Sequence, residues 1–197
     1  MPWFEELEEE RNWIDLQIIE SWNIPKKYVA GAFPDDIWIR EKACEFGERD
    51  ILGGKLRITI PKSLENVKEP REELLIGFTK ELCADWLGQA ELYYSKEWNC
   101  SFAFLLPQEE LDGEIFYEDT VKMMESYDEE TIFYDKEVGE GYTTFTVKSN
   151  LEEGEQIYSF PFQIRLAEKQ IVGIIVCDVE DAAIWRLLSY SIFKSAI

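Results

Sequence analysis

The sequence predicts an α+β protein: an antiparallel sheet flanked by helices, with a helical extension at the N-terminus. Three observations carry this. Apolar residues recur at helical spacing near both ends of the chain; runs of apolar and aromatic residues lie between them; turn signals separate those runs without the regular strand–helix alternation of a parallel sheet. With 46% hydrophobic and 14% aromatic residues in a chain of 197, a sizeable core can be buried.

From Trp3 to Trp22 the residues Trp3, Leu7, Ile14, Ile18 and Trp22 fall on one helical stripe. Pro25 stops that helix by biasing its predecessor away from the helical region. Phe33-Pro34-Asp35-Asp36 reads as a turn and N-cap before a second helix reaching about Phe46, although Ile37-Trp38-Ile39 reads equally well as extended. Leu52-Gly53-Gly54 is a glycine turn opening a half-buried strand, Lys55 to Pro61, which proline ends. Pro70 to Leu75 looks like a helix start. Ala90 to Tyr94 and Cys100 to Leu106 form a hairpin around Ser95-Lys96-Glu97-Trp98-Asn99, and Ile115 to Tyr127 is a helix among acids. Strands follow over Thr131 to Tyr134, Tyr142 to Lys148, Gln156 to Leu166 and Gln170 to Cys177, with turns at Gly139-Glu140-Gly141, Glu152-Glu153-Gly154 and Ala167-Glu168-Lys169. Asp178 to Asp181 caps a last helix from Ala182 to about Ser195. A composition shift near Gly53 divides the chain into an N-terminal helical extension, 1–50, and an α+β core domain, 51–197.

Against 20 Lys and Arg stand 41 Asp and Glu, a net charge of -21. Phosphate backbones and anionic membranes are repelled by such a surface, so direct nucleic-acid binding and membrane attachment are not expected. The N-terminus lacks a basic and an apolar segment, and no apolar run is long enough to span a bilayer; a cytoplasmic protein is expected. The four cysteines, Cys44, Cys83, Cys100 and Cys177, are scattered and read as buried free thiols. Histidine is absent, which removes the usual general base, the usual metal ligand and every Ser-His or Cys-His pair. No catalytic residue, cofactor or metal ligand is assigned.

Strand Gly53-Gly54-Lys55-Leu56-Arg57-Ile58-Thr59-Ile60-Pro61 resembles the opening strand of the PsbP-like superfamily. The hairpin Glu91 to Ser95 with Ser101 to Phe104, and the ending from Ile171 to Val176 through Asp178-Val179-Glu180 into Trp185 to Ile192, are similar to its later elements. The resemblance covers about 51–197 and is one of element order, of the DcrB and effector-associated chaperone type. It implies protein binding and brings no shared catalytic residues to this chain.

Paired acids could in principle serve a carboxylate-based hydrolase or gather a cation. Asp35-Asp36, Asp112 with Glu114, Glu118-Asp119 and Asp128-Glu129-Glu130 are the pairs and clusters available, and solvated faces account for most of them in so acidic a chain. Asp112-Gly113-Glu114 does not supply the alternating ligands of a calcium loop. Gly139-Glu140-Gly141 lacks the third glycine of a dinucleotide loop, because Thr144 stands in its place. Aromatic side chains dominate protein interfaces, and of the seven tryptophans two stand out: Trp98 in a hairpin turn and Trp13 off the N-terminal stripe. The reading is therefore a non-catalytic protein-binding module whose partner is a basic protein. Trp13, Trp98, Asp128, Glu129 and Glu130 are its candidate contacts; an effector chaperone or an immunity-type inhibitor is the kind of role expected. The alternatives are a carboxylate-based hydrolase and an acidic DNA-mimic inhibitor. Oligomeric state is left open.

Overall fold

A computed structural model describes residues 37–39, 42–68, 88–107, 109–128, 130–134, 136–150, 156–167 and 169–197. The N-terminal helix, the helix start at Pro70 and the turn at Glu152-Glu153-Gly154 lie outside them. Thirteen strands and two α-helices are described. Strands β1 (Trp38–Ile39) and β2 (Lys42–Ala43) make a small hairpin, and β3 (Phe46–Ile51) pairs with β4 (Leu56–Pro61). The main sheet contains β5 (Glu65–Asn66), β6 (Gly88–Ser95), β7 (Cys100–Pro107), β8 (Ile132–Phe133), β9 (Glu137–Gly139), β10 (Tyr142–Thr144), β11 (Val147–Asn150), β12 (Gln156–Leu166) and β13 (Lys169–Asp178). Helix α1 spans Gly113–Tyr127 and α2 spans Ala182–Lys194, entered through a 3-10 turn at Val179–Asp181. Every pairing among the described strands is antiparallel, so the described residues have the predicted α+β architecture.

The sheet runs β5-β6-β7-β13-β12-β10-β9, with β11 also on β12 and β8 on β11. Strands β10 and β11 are one strand interrupted: Thr144 faces Phe162 before the gap and Val147 faces Ser159 after it, in unbroken register. The interruption lies opposite Pro161, which has no N–H to give to the ladder. Its carbonyl still accepts, from the Phe145 N–H at 3.4 Å and the Thr144 hydroxyl at 2.8 Å.

Alternation along β7 and β13 sends Phe102, Phe104, Ile171, Ile175 and Cys177 to one face and Ala103, Leu105, Val172, Ile174 and Val176 to the other. Both faces are buried, which is why these strands read as near-continuous apolar runs. Helix α1 covers the second face with Phe116 and Met124. Helix α2 packs on the first face with Trp185, Leu188 and Ile192, in the same core as Ile51, Leu56, Ile58 and Ile60 of the β3–β4 hairpin.

One expectation is overturned. The helix expected up to about Phe46 is strand: β1, β2 and the start of β3 occupy that stretch. The extended alternative for Ile37-Trp38-Ile39 is the observed one, with Ile37 and Ile39 buried and Trp38 exposed. The physical reason is tertiary: Ile37, Ile39 and Cys44 contribute to the same core as the β3–β4 hairpin, and only a period of two turns both isoleucines inward. The β3–β4 pairing also crosses the boundary expected at 50/51, through a turn in which Leu52, Gly53 and Gly54 all have positive φ (54°, 66° and 81°). Glycine adopts that conformation without penalty; buried Leu52 accepts it as part of the core.

Candidate interaction surface

Helix α1 begins where Asp112 caps it: the carboxylate accepts the Glu114 N–H at 2.8 Å, and the extended backbone of Asp112 (φ -66°, ψ 151°) turns the chain into the helix. Phe116, Thr120 and Met124, four residues apart, face the sheet. The Tyr117 and Phe116 rings meet Phe145 at 4.9 and 6.1 Å between centroids. The opposite face is left with Glu114, Ile115, Glu118, Asp119, Lys122 and Glu125, all exposed. Lys122, the one base on that face, lies 3.7 Å from Asp119, and Lys136 reaches Glu114 at 2.5 Å from beside the Tyr117 ring.

The acids continue where helix stability does not ask for them. Carboxylates near a helix N-terminus suit the dipole, whereas near the C-terminus they oppose it. Glu125 nevertheless stands in the last turn, no base accompanies it there, and Asp128 follows at the C-cap. Asp128 does have a local task. Its carboxylate accepts the N–H groups of Asn150 and Glu130, each at 2.9 Å, tying the end of α1 to β11. The Asn150 N–H is the main reason its carboxyl lies below the usual range, with Glu130, Thr131 and the Asn150 side chain adding to it against the opposing effect of desolvation. Glu130 is exposed, while Glu129 lies outside the described residues.

A testable consequence follows for Asp128→Ala. Losing these charge-assisted bonds is expected to cost about 1–2 kcal/mol at neutral pH. A carboxyl whose pKa is lower folded than unfolded adds stability above the unfolded value, near 3.9, and that stability is lost as pH falls through the folded value. Urea unfolding at a series of pH values should therefore show parent and variant converging below about pH 4; a gap that stays constant to lower pH would contradict this role.

Trp98 needs correction. It lies in the β6–β7 turn as expected, but its indole is only 3% exposed and belongs to the core beside Leu64, Cys100 and Tyr93. Asn99, with φ 39°, closes the turn, and the Trp98 N–H donates to the buried Ser95 hydroxyl at 3.4 Å, so the turn folds over the core. In this conformation the side chain presents no contact area. Trp13 lies outside the described residues. The described tryptophan that is exposed is Trp38, at 58%; the signal for it was the alternation Ile37-Trp38-Ile39, too short to separate from a helix.

The acid pairs do not converge on one centre. Asp112 caps α1, Glu114 pairs with Lys136, Glu118 and Asp119 lie on the outer face of the helix, and Asp35-Asp36 fall outside the described residues. Among the described residues no group of three or more Cys, Asp or Glu could hold a metal ion. A recess of about 360 Å³ opens between the start of α1 and the β12–β13 turn, where Glu110 and Asp112 share the lining with Arg165 and Lys169. The Gln170 and Gln163 side chains fix its wall by donating to the Leu111 carbonyl at 2.6 and 3.0 Å. Cys44, Cys100 and Cys177 are buried and form no disulfide. Burial, with Glu97 adding to it, pushes the Cys44 thiol up to about 12, and burial likewise raises the Cys100 thiol. No described helix is long and apolar enough to cross a membrane.

No protein-family model and no curated protein matches the sequence. Solved structures do match the fold. The Ran-binding protein Mog1p of Saccharomyces cerevisiae superimposes with a TM-score of 0.53 at 12% identity, over 79% of this chain and 96% of that one. Cyanobacterial PsbP (CyanoP) of Synechocystis superimposes with a TM-score of 0.50 at 7% identity, over 84% of this chain and 99% of that one. The chain thus has the PsbP-like fold, in agreement with the resemblance of its strands and its C-terminal ending. At such identities the likeness defines the architecture alone.

Proposed function

We propose that this chain is a non-catalytic, cytoplasmic protein-binding module for a basic protein partner, in the manner of an effector chaperone or an immunity-type inhibitor. The observation that supports it best is the outer face of α1. Four exposed carboxylates, Glu114, Glu118, Asp119 and Glu125, stand there against Lys122, and they persist into the helix end where the dipole disfavours them. A carboxylate such as Glu125, placed where it opposes the helix dipole, supports a role for this face other than folding. Glu130, exposed beyond the helix end, adds to the same charge, and a net charge of -21 steers a basic partner toward it. Mog1p, which has the same fold, is described as Ran-binding, and that supports a protein partner. The absence of histidine leaves catalysis to carboxylates, phenols or amines.

Affinity capture with the full chain at about 50 mM and about 500 mM salt tests this reading, since screening shortens the Debye length roughly threefold between them. A basic partner whose recovery falls steeply with salt is the expected result. Recovery indifferent to salt would argue against charge recognition. Turnover of a small molecule, lost on changing one Asp or Glu, would instead establish the hydrolase.

A further inference from the structure

We propose that the outer edge of the sheet, formed by β8 and β9, accepts an extended basic segment of a partner protein as an added strand; this rests on the reading of the chain as a binding module for a basic protein. Among the described residues β9 pairs only with β10 and β8 only with β11, so the opposite side of each carries no strand. The two-residue turn Glu140-Gly141 makes Gly139 and Tyr142 the closing pair of the β9–β10 hairpin. In antiparallel alternation Gly139 and Glu137 then face β10, and the Val138 N–H and C=O face outward.

The side chains at this edge suit a partner strand. Val138 is 69% exposed and Ile132 48%, two of the few large apolar side chains left in solvent. Proteins normally blunt such edges with short strands, inward charges or cover. This edge has two of those features, strands of only two and three residues and the inward-held Glu137, and what sets it apart is that it is fixed in place. The Glu137 carboxylate accepts the Tyr142 hydroxyl at 3.1 Å and is hydrogen-bonded to Tyr190 of α2. Arg186, mostly buried, stacks on Tyr190 at 5.3 Å. A Cβ on Gly139 would lie 2.2 Å from the Tyr142 ring, so the absence of a side chain lets that ring pack against the strand. A strand held this way is already ordered, which lowers the entropic cost of pairing.

Charge selects the occupant. Glu130 precedes β8, Glu140 follows β9, and both are exposed. Of the nearby bases, Lys136 is engaged with Glu114 and the Tyr117 ring, Lys148 opposite Ile132 is buried over the Tyr158 ring, and Arg186 is buried behind Glu137 on Tyr190. A second copy of this chain would bring another net charge of -21, so a basic segment is the complement. The residues opposite β9 and β8 run from Tyr142 to Lys148, roughly 23 Å at about 3.3 Å per residue, which a segment of about nine residues would span.

The test uses the full chain and the synthetic peptide Lys-Lys-Val-Thr-Val-Thr-Val-Lys-Lys, compared with the same peptide N-methylated at its five central residues, which keeps charge and side chains but removes backbone donors. The unmodified peptide is expected to slow exchange of the Val138 amide at least tenfold. The methylated peptide should not. Affinity should fall at least tenfold in Val138→Pro, which lacks the outward N–H, and in Val138→Lys, which repels the peptide and covers the case in which the proline variant fails to fold. An unchanged Val138 amide, or equal binding of the methylated peptide, would overturn the proposal. Binding that ignores Val138→Lys but is lost in Glu114→Gln with Glu118→Gln would also overturn it, while leaving the acidic-face reading intact. Protection of Val138 that grows with protein concentration in the absence of peptide would assign the edge to a second copy and overturn it too.

Discussion

Gly173→Val is expected to lower the unfolding free energy by about 3 kcal/mol or more, and Gly173→Ala is expected to lower it as well, against the usual preference of strands. Glycine in a strand interior is ordinarily a weakness worth about 0.5–1 kcal/mol relative to alanine, so propensity alone predicts that alanine stabilises. Packing predicts the opposite. Gly173 lies on central strand β13 between Phe104 of β7 and Phe162 of β12, the three residues forming one row across the sheet. The missing side chain lets those two rings meet over it at 5.6 Å between centroids, and Phe162 goes on to meet Phe193 of α2 at 4.7 Å. A Cβ at Gly173 would stand 2.2 Å from the Ala103 carbonyl oxygen and 2.4 Å from Phe162 Cζ. Neither can withdraw: one is sheet backbone, the other is wedged between two further rings. Overpacking costs typically 1–3 kcal/mol, more when backbone is involved, and so outweighs the propensity gain. Urea midpoints decide the matter, and an alanine variant with a raised midpoint would refute the aromatic row as the reason for this glycine.

The same row explains which parts of the fold were legible in the amino-acid sequence. Strands β7 and β13 announced themselves because apolar and aromatic residues fill both faces, β6 and β12 because of their aromatic and apolar runs, and α1 and α2 because their inner stripes repeat every three or four residues. Strand β9 did not, since Glu137-Val138-Gly139 has no strand-like composition; it is a strand because β10 pairs with it and Glu137 is held by Tyr142. Pro161 lies inside a central strand against every local rule, tolerated because the ladder gives way opposite it at Phe145. For the candidate surface, composition revealed the excess of acid but not its distribution. Asp112, Asp128 and Asp178 each spend an oxygen on a backbone N–H, and only the path of the chain separates such capping acids from the exposed ones on the outer face of α1. Residue type likewise could not say that Trp98 turns into the core while Trp38 faces solvent.

Trp185 should show the largest single loss, about 3–5 kcal/mol for Trp185→Ala, out of a total stability of the order of 5–15 kcal/mol for a domain. Its side chain is fully buried and meets the edge of Phe102 at 5.8 Å and 83°. From its place on α2 it shares one core with Leu188 and Ile192 and with Leu56 and Ile58 of the β3–β4 hairpin, so its removal leaves a cavity in the layer that joins three elements. Trp185→Phe separates volume from polarity. The indole Nε1 is buried and has no hydrogen-bond partner among the described residues, and an unsatisfied buried donor costs about 1–3 kcal/mol. Phenylalanine removes that penalty while keeping most of the ring, so it should lose less than half of what alanine loses. Urea unfolding followed by far-ultraviolet circular dichroism measures both variants on one scale. If phenylalanine proved as costly as alanine, the indole N–H would have to be satisfied in solution, and packing alone would no longer account for a tryptophan at this position.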